Sequence, residues 1–355
     1  YGWDGLFQTW GDAVKASGIE SITGRVLGDA SFYHGPPRPG SWSWMDLGNY
    51  YASGSDGLNF YNNTYKVRFR TGSVGSLARY IGCTPELPGV TFHNEMLTGT
   101  AGSGDQGYVY AAPYGQVVFL RGSIPASGTF TIKGALPEPA LTCAQLFHKH
   151  LQNQGIQISK EPSTQRINPA SEALTNILTH SSKPLSNLLQ RMNHKSINLF
   201  AETLLRRLGK AHGNVGSTEA GVRAVEAYFS KHAITTEGFA MHDGSGLSRL
   251  NSITPRQMVY LLKAADRDEH ADIFRRSLPV AGHSGTLKNV AKGTAAEGRV
   301  RAKSGTVARV KCYAGYVDSR SGTRYAFAIM VNNYAKSYGE AKPGIVSVMA
   351  RMAEQ

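Results

Sequence analysis

Three short patterns in the second half of the chain gather side chains able to take part in acyl transfer: Ser196-Ile197-Asn198, Asp243-Gly244-Ser245-Gly246-Leu247-Ser248 and Lys303-Ser304-Gly305-Thr306. A serine hydroxyl donates and accepts at once, an asparagine amide donates from its NH2 while accepting on its carbonyl, and a lysine adds fixed positive charge. These are parts for moving protons around an amide under attack. Singly each pattern is weak, because Ser-x-Asn is common by chance and Lys-Ser-Gly is more often a turn with a solvated lysine. Their order and setting add weight: Ser196 falls at the junction of two helical segments, and the lysine pattern leads into a strand. The plain alternative for Ser196 and Asn198 is a helix-junction cap. Asp243 to Ser248 reads as a turn that supports a site rather than performing chemistry, and Gly285-Thr286-Leu287 likewise reads as structural.

Other chemistries find no such pattern. His148 and His150 lie two residues apart on a predicted helix and so point to different faces. There is no His-Glu-x-x-His or comparable ligand set, and neither a metal nor a cofactor is expected. Cys83, Cys143 and Cys312 are odd in number and far apart, so they define neither a disulfide framework nor a CxxC site, and at most one bridge can form within the chain. The net charge of +13 favours anionic surroundings: nucleic acid, a membrane face or an acidic envelope polymer. The basic residues are dispersed and no zinc-finger or basic-zipper spacing occurs, so nucleic-acid binding is not expected. No apolar run of about eighteen residues exists to span a membrane.

The elements that must position these residues are read from periodicity. A chain of 355 residues, 41% hydrophobic and 18% charged, has room for two or three globular domains. Leu6, Trp10, Ala13 and Val14 predict a helix ended by Gly18. Ile22 to Leu27 reads as a strand followed by a Gly28-Asp29 turn, and Tyr65 to Phe69 as another strand. Alternation in Gly107 to Tyr110, Gln116 to Leu120 and Thr129 to Ile132 makes the stretch from Val90 to Lys133 mostly β. The aromatic residues between Ser41 and Asn63 are read as core and sheet packing, with a sugar-stacking surface as the alternative. Ala140 to Gln154 is a predicted helix, and Ser159 to Ser182 a connection with one strand.

From Pro184 the texture becomes helical. Segments Leu188 to Met192 and Leu199 to Leu208 meet near Lys195-Ser196, a helix covers Thr218 to Ala233, and another follows Pro255. Strands Val310 to Val317 and Tyr325 to Val331 and a helix from Pro343 to Met352 close an α+β domain.

The chain resembles the low-molecular-mass class C penicillin-binding proteins, D-alanyl-D-alanine carboxypeptidase/endopeptidases with a domain inserted into a transpeptidase fold. The likeness is carried by Gly18-Ile19 and Gly24-Arg25-Val26-Leu27-Gly28-Asp29, Asp46-Leu47-Gly48-Asn49-Tyr50-Tyr51, the Ser196 pattern with Ala201-Glu202, and His242 to Arg249. Leu278-Pro279-Val280-Ala281-Gly282, Gly285-Thr286-Leu287 and Ala302-Lys303-Ser304-Gly305-Thr306 complete it. The resemblance implies a serine β-lactamase/transpeptidase-like domain over 182–355 and a large, mostly β inserted domain over 1–181. It implies catalytic roles for Ser196, Asn198 and Lys303 and substrate binding by Ser304, Gly305 and Thr306. Ser196 would relay a proton to the leaving amine, and Asn198 would bond a lysine and the substrate's peptide oxygen. Lys303 would sit beside the substrate's terminal carboxylate, which the Ser304 and Thr306 hydroxyls would bind, and Thr306 N–H would be one oxyanion donor. Gly305 would let the strand approach the substrate.

Two departures from the family pattern are Ile197, where aspartate is usual, and Ser304, where threonine is frequent. A third is larger. The family's nucleophile lies in Ser-x-x-Lys, and these 355 residues contain no such spacing; Ser284 precedes Lys288 by four. The chain is therefore expected to begin inside the insertion, with on the order of a hundred residues preceding it. The resemblance further implies a periplasmic or extracytoplasmic protein acting on peptidoglycan peptides and acylated by β-lactam antibiotics, and the positive charge would suit peripheral contact with membrane or cell wall. A non-catalytic peptidoglycan-binding homologue and a β-lactamase or esterase on the same scaffold are the alternatives.

Overall fold

The apolar spacing of Leu6, Trp10, Ala13 and Val14 produces helix α1 (Trp3–Ala16) in the computed structural model, which describes residues 2–166, 174–335 and 337–355. Its contacts divide the chain into two units, Tyr1–Ser181 with Gly213–Thr218, and Ser182–His212 with Glu219–Gln355. In the first unit, α1 is followed by strands β1 (Ser21–Ile22), β2 (Leu27–Asp29), β3 (Thr64–Arg70), β4 (Arg79–Thr84), β5 (Thr91–Gly99), β6 (Gln106–Ala111), β7 (Val117–Pro125) and β8 (Thr129–Ala135). Helix α2 (Pro139–Asn153) and strands β9 (Gln157–Ile158) and β10 (Ser163–Gln165) follow. Helix α2 starts on a proline, whose missing N–H is no loss in a first turn. It closes at Gly155 (φ +89°), with Ile156 N–H donating to Leu151 O at 3.1 Å.

Strict alternation builds the first core. In β3, Tyr65, Val67 and Phe69 are fully buried while Lys66, Arg68 and Arg70 face out. Two three-stranded sheets, in orders β4-β3-β8 and β5-β7-β6, share a core with Phe7, Phe60 and Cys143. Trp42, expected as packing, is buried, whereas Trp44 is 56% exposed.

Two expectations here are corrected. The strand read from Ile22 to Leu27 is two short strands, and Gly28-Asp29 is not a turn but part of the second. Strand β1 pairs in parallel with β9, and β2 with β10, partners more than a hundred residues away that no local pattern reveals. Gly28 is there because an added Cβ would lie 2.3 Å from Ala140 O. Part of the connection read from Ser159 to Ser182 lies outside the described residues; the rest includes β10.

The second unit contains α3 (Leu185–Lys195), most of α4 (Asn198–Gly213) and of α5 (Thr218–Lys231), α6 (Pro255–Ala265), α7 (Ala271–Ser277), strands β11 (Val300–Val307), β12 (Val310–Asp318) and β13 (Arg324–Asn332), and α8 (Tyr338–Glu354). The three strands are antiparallel in the order β11-β12-β13. Both sheet faces are covered, and period two decides which residues each receives. Tyr313, Val317 and Phe327 pack against Ile345, Met349 and Ala353 of α8. Tyr316, Ala314 and Ala326 pack against Leu262 and Met258 of α6 and Phe274 of α7. Helix α6 begins with a reciprocal cap, Gln257 N–H to Thr254 Oγ1 at 3.1 Å and Thr254 N–H to Gln257 Oε1 at 2.8 Å.

A sheet enclosed by helices is the transpeptidase-like architecture anticipated above, with three local corrections. Helix α8 begins at Tyr338 rather than Pro343; the proline forfeits one bond inside the helix, while Tyr338 is held by a 2.7 Å contact between its hydroxyl and that of Tyr313. Helix α7 was not anticipated. The Lys303 pattern lies within strand β11 instead of preceding a strand, because Val300, Ala302 and Ser304 supply the buried face.

Candidate active site

The junction between α3 and α4 is only two residues long. Helix α3 ends at Lys195, Ser196 adopts the left-handed conformation at φ 52° and ψ 54°, and Ile197 N–H returns to Met192 O at 3.2 Å. Asn198 opens α4 and is half-buried. A serine at positive φ is strained relative to glycine, and the result is an exposed hydroxyl projecting from the joint. Lys303 Nζ donates to that hydroxyl at 2.8 Å and to Ser304 O at 2.6 Å. Two patterns separated by 107 positions in sequence thus meet at one hydrogen bond.

Strand β11 lies at the sheet edge. Its outer side is covered at the start, where Ala302 N–H donates to Pro279 O at 3.0 Å and Val280 bridges to Arg301. Beyond that point the edge has no strand partner among the described residues. Because Ala302 directs its N–H outward, the alternation of an antiparallel ladder turns the N–H and C=O of Ser304 and Thr306 outward as well. Gly305, with no side chain, leaves the strip between them uncovered.

The side chains of Ser304 and Thr306 lie on the α8 face. Ser304 is 7% exposed and donates to Thr286 Oγ1 at 2.8 Å. Thr306 Oγ1 accepts from Lys311 Nζ at 2.6 Å; Lys311 sits directly opposite on β12. The Lys311 ammonium lies 5.2 and 4.9 Å from the rings of Tyr313 and Tyr338. Burial, followed by the like charge of Lys311, pushes Lys303 down to about 8. An ammonium so placed stays charged at neutral pH yet surrenders its proton more readily than a solvated lysine.

Two devices hold this geometry. The first is the 3-10 turn Gly285–Leu287. Gly285, at φ +55°, leaves 3.0 Å between its missing Cβ and His194 Cα, so the turn abuts the end of α3. Its neighbour Thr286 holds Ser304, so one turn braces both the Ser196 joint and the Lys303 strand. The second is the loop from Asp243 to Ser248. Asp243, 2% exposed, accepts from Gly246 N–H (2.9 Å), Ser248 N–H (2.6 Å) and Asn251 Nδ2 (2.6 Å). Gly244 and Ser245 donate their N–H groups to Glu202, one helical turn past Asn198, at 3.1 and 2.7 Å. Glu202 is 1% exposed, and burial, aided by the Asp243 charge and opposed by these hydrogen bonds, pushes its carboxyl up to about 7.

Glu202 and Lys311 had no assigned role in the sequence reading, and Thr286 was read only as part of a structural stretch. Glu202 and Thr286 lay inside stretches that carried the family likeness, whereas Lys311 carried no signal until the register placed it opposite Thr306. His148 and His150 share α2, and His150 Nε2 lies 3.1 Å from Gln154 Nε2. All three cysteines are free. No helix among the described residues is long and apolar enough to cross a membrane.

Comparison with known proteins gives one consistent result. Residues 7–355 match the family described as D-Ala-D-Ala carboxypeptidase 3 (S13). The chain is 31% identical over 363 residues to a D-alanyl-D-alanine carboxypeptidase of Actinomadura sp. (strain R39), covering 96% of this chain and 65% of that protein. It is 24% identical over 348 residues to D-alanyl-D-alanine carboxypeptidase DacB of Haemophilus influenzae, covering 93% of this chain and 69% of the other. The fold matches the crystal structure of penicillin binding protein 4 (dacB) from Haemophilus influenzae with a TM-score of 0.83 at 23% identity, over 99% of this chain and 79% of that one.

Proposed function

The chain belongs to the D-Ala-D-Ala carboxypeptidase 3 (S13) family, and on that premise we propose that it is the larger part of a serine-type D-Ala-D-Ala carboxypeptidase/endopeptidase acting on peptidoglycan stem peptides through an acyl-enzyme. The observation that carries the reading is the 2.8 Å bond from Lys303 Nζ to Ser196 Oγ beside an open strand edge. In this reading 182–355 contributes to the catalytic domain and 1–181 is an insertion within it. The nucleophile is a serine in Ser-x-x-Lys, an element these residues do not contain.

A peptide laid along β11 would bond to the outward N–H and C=O groups of Ser304 and Thr306 as an added strand. The Thr306 N–H then donates to the carbonyl oxygen as it gains negative charge, a contribution typically worth about 3 to 4 kcal/mol. The substrate's terminal carboxylate is drawn to Lys303 and Lys311, with Thr306 Oγ1 and Ser304 nearby. The Ser196 hydroxyl, bonded to Lys303, passes a proton to the leaving amine of the terminal D-alanine and takes its replacement from the lysine. Asn198 orients the peptide. Ile197 offers no polar group at the centre of this pattern, so proton relay rests on Ser196. β-Lactams, which present an amide and a carboxylate in the same relation, would acylate the same serine. A periplasmic or extracytoplasmic setting and peripheral contact with an anionic wall suit the charge of +13.

The test is mass spectrometry of the full-length protein after exposure to penicillin. A covalent adduct on the serine of a Ser-x-x-Lys, formed much more slowly in S196A and K303A, is expected. An intact full-length protein without that motif and without an adduct would leave a wall-binding protein on an enzyme's fold, and rapid β-lactam turnover without D-alanine release would make it a β-lactamase.

A further inference from the structure

Arginines converge at a place that the proposed reaction does not use. Arg275 and Arg276 of α7, Arg301 of β11 and Arg324 of β13 line a cavity of about 210 Å³, together with Asp272 and Asp318. Two of the four guanidiniums are committed. Arg275 pairs with both Asp266 and Asp272. Arg324 pairs with Asp318 at 2.7 Å and reaches Asp266 at 3.9 Å. Each of the three carboxylates therefore already faces an arginine. The side chains of Arg276 and Arg301 have no hydrogen-bonded or ionic protein partner among the described residues. Four positive charges against three negative ones, with Asp266 counted, leave an excess of one, and the uncommitted pair both border the cavity.

The frame around them is tied together at three points. Tyr316 is 2% exposed and donates its hydroxyl to Leu262 O at 2.7 Å, fixing the sheet beneath the cavity to α6. The doubly paired Arg275 ties α7 to the end of α6, and the Arg324–Asp318 pair ties β13 to β12. Like charges gathered in such a frame repel one another unless an anion shares the space. Arg301 precedes Lys303 by two residues on the same face of β11, roughly 7 Å along the strand, on the covered part of the edge.

We propose that this cavity is an anion site for a phosphate-class oxyanion, gripped by Arg276 and Arg301. A guanidinium presents parallel N–H donors matched to two phosphate oxygens, and a singly charged phosphate, bridging the two uncommitted arginines, offsets the net excess of one positive charge. The phosphate can belong to a free ion or to a lipid headgroup, since both present the same oxygens.

The test uses the full-length protein. Inorganic phosphate is titrated calorimetrically at constant ionic strength against sodium chloride, and sedimentation is measured with phosphatidylcholine vesicles with and without phosphatidylglycerol. Millimolar phosphate binding, or co-sedimentation dependent on phosphatidylglycerol, is expected, weakened roughly tenfold in R276Q and again in R301Q. Binding of phosphate alone identifies a free-ion site, and binding of the vesicles a headgroup site. R276K keeps the charge but loses the fork, and should bind several-fold more weakly than the parent. Arg276 is exposed and unpaired, so R276Q should retain the far-UV spectrum and the rate of penicillin labelling. Phosphate binding no stronger than chloride with vesicle binding unchanged in R276Q overturns the proposal, as does undiminished binding by R276K.

Discussion

Replacing Glu202 with glutamine should remove a pH dependence of stability that the fold builds in. The carboxyl is 1% exposed and held at about 7 rather than 4.5, chiefly by burial and then by the Asp243 charge. A group whose folded value is raised stabilises the protein fully below the unfolded value and loses that contribution as pH climbs through the folded one. Between pH 4.5 and 7 the folded protein keeps a proton the unfolded chain has released, so stability falls across that window. At about 1.4 kcal/mol per pH unit, the full loss is about 3 kcal/mol. Glutamine keeps an acceptor for the Gly244 and Ser245 amides but cannot ionise. Urea unfolding at pH 4 to 8 should therefore give a wild-type curve that declines relative to E202Q by about that amount. The signal should be far-UV dichroism, because Trp3, Trp10, Trp42 and Trp44 all lie in the first unit. Parallel curves for the two proteins, offset by a constant, would refute the reasoning.

Three further outcomes follow from the same geometry. Ser196→Gly should exceed Ser196→Ala in stability by about 1 kcal/mol, because only glycine relaxes the positive φ, while both should slow penicillin acylation of the full-length protein by about a hundredfold or more; thermal melts and adduct kinetics read the two effects separately. Gly244→Ala should lower stability by about 1 to 3 kcal/mol in denaturant titrations, since its Cβ would lie 2.6 Å from Ala201 O. Lys311→Met removes a like charge that helps hold Lys303 near 8, so Lys303 should titrate higher and the alkaline limb of the acylation profile should move to higher pH; an unmoved limb contradicts the coupling.

What the sequence made legible was largely what is local. Helices α1 and α2, strand β3 and the α3–α4 joint follow from periodicity, a proline and a few glycines. The reactive patterns were visible as types in order, with Ser196 at a junction. Their meeting was not visible, because the bond from Lys303 to Ser196 depends on the turn at Gly285 bracing two distant segments. Glu202 was hidden for a similar reason: a glutamate on a helix normally points to water, and only the amides of Gly244 and Ser245, more than forty residues on, explain its burial. Lys311 needed the β11–β12 register. The arginine cavity assembles from three elements, none of which is basic enough alone to draw notice.

The open side of β11 also bears on self-association. An uncovered row of N–H and C=O groups is as good a template for the matching edge of a second copy as for a peptide. Two lysines beside that row tip the balance by sign: another copy would bring the same two cations against them, whereas a strand ending in a carboxylate brings the opposite charge. The hydrogen bonds on offer are the same in both encounters, so charge would be what discriminates between them, and raised salt should weaken that distinction before it weakens the fold.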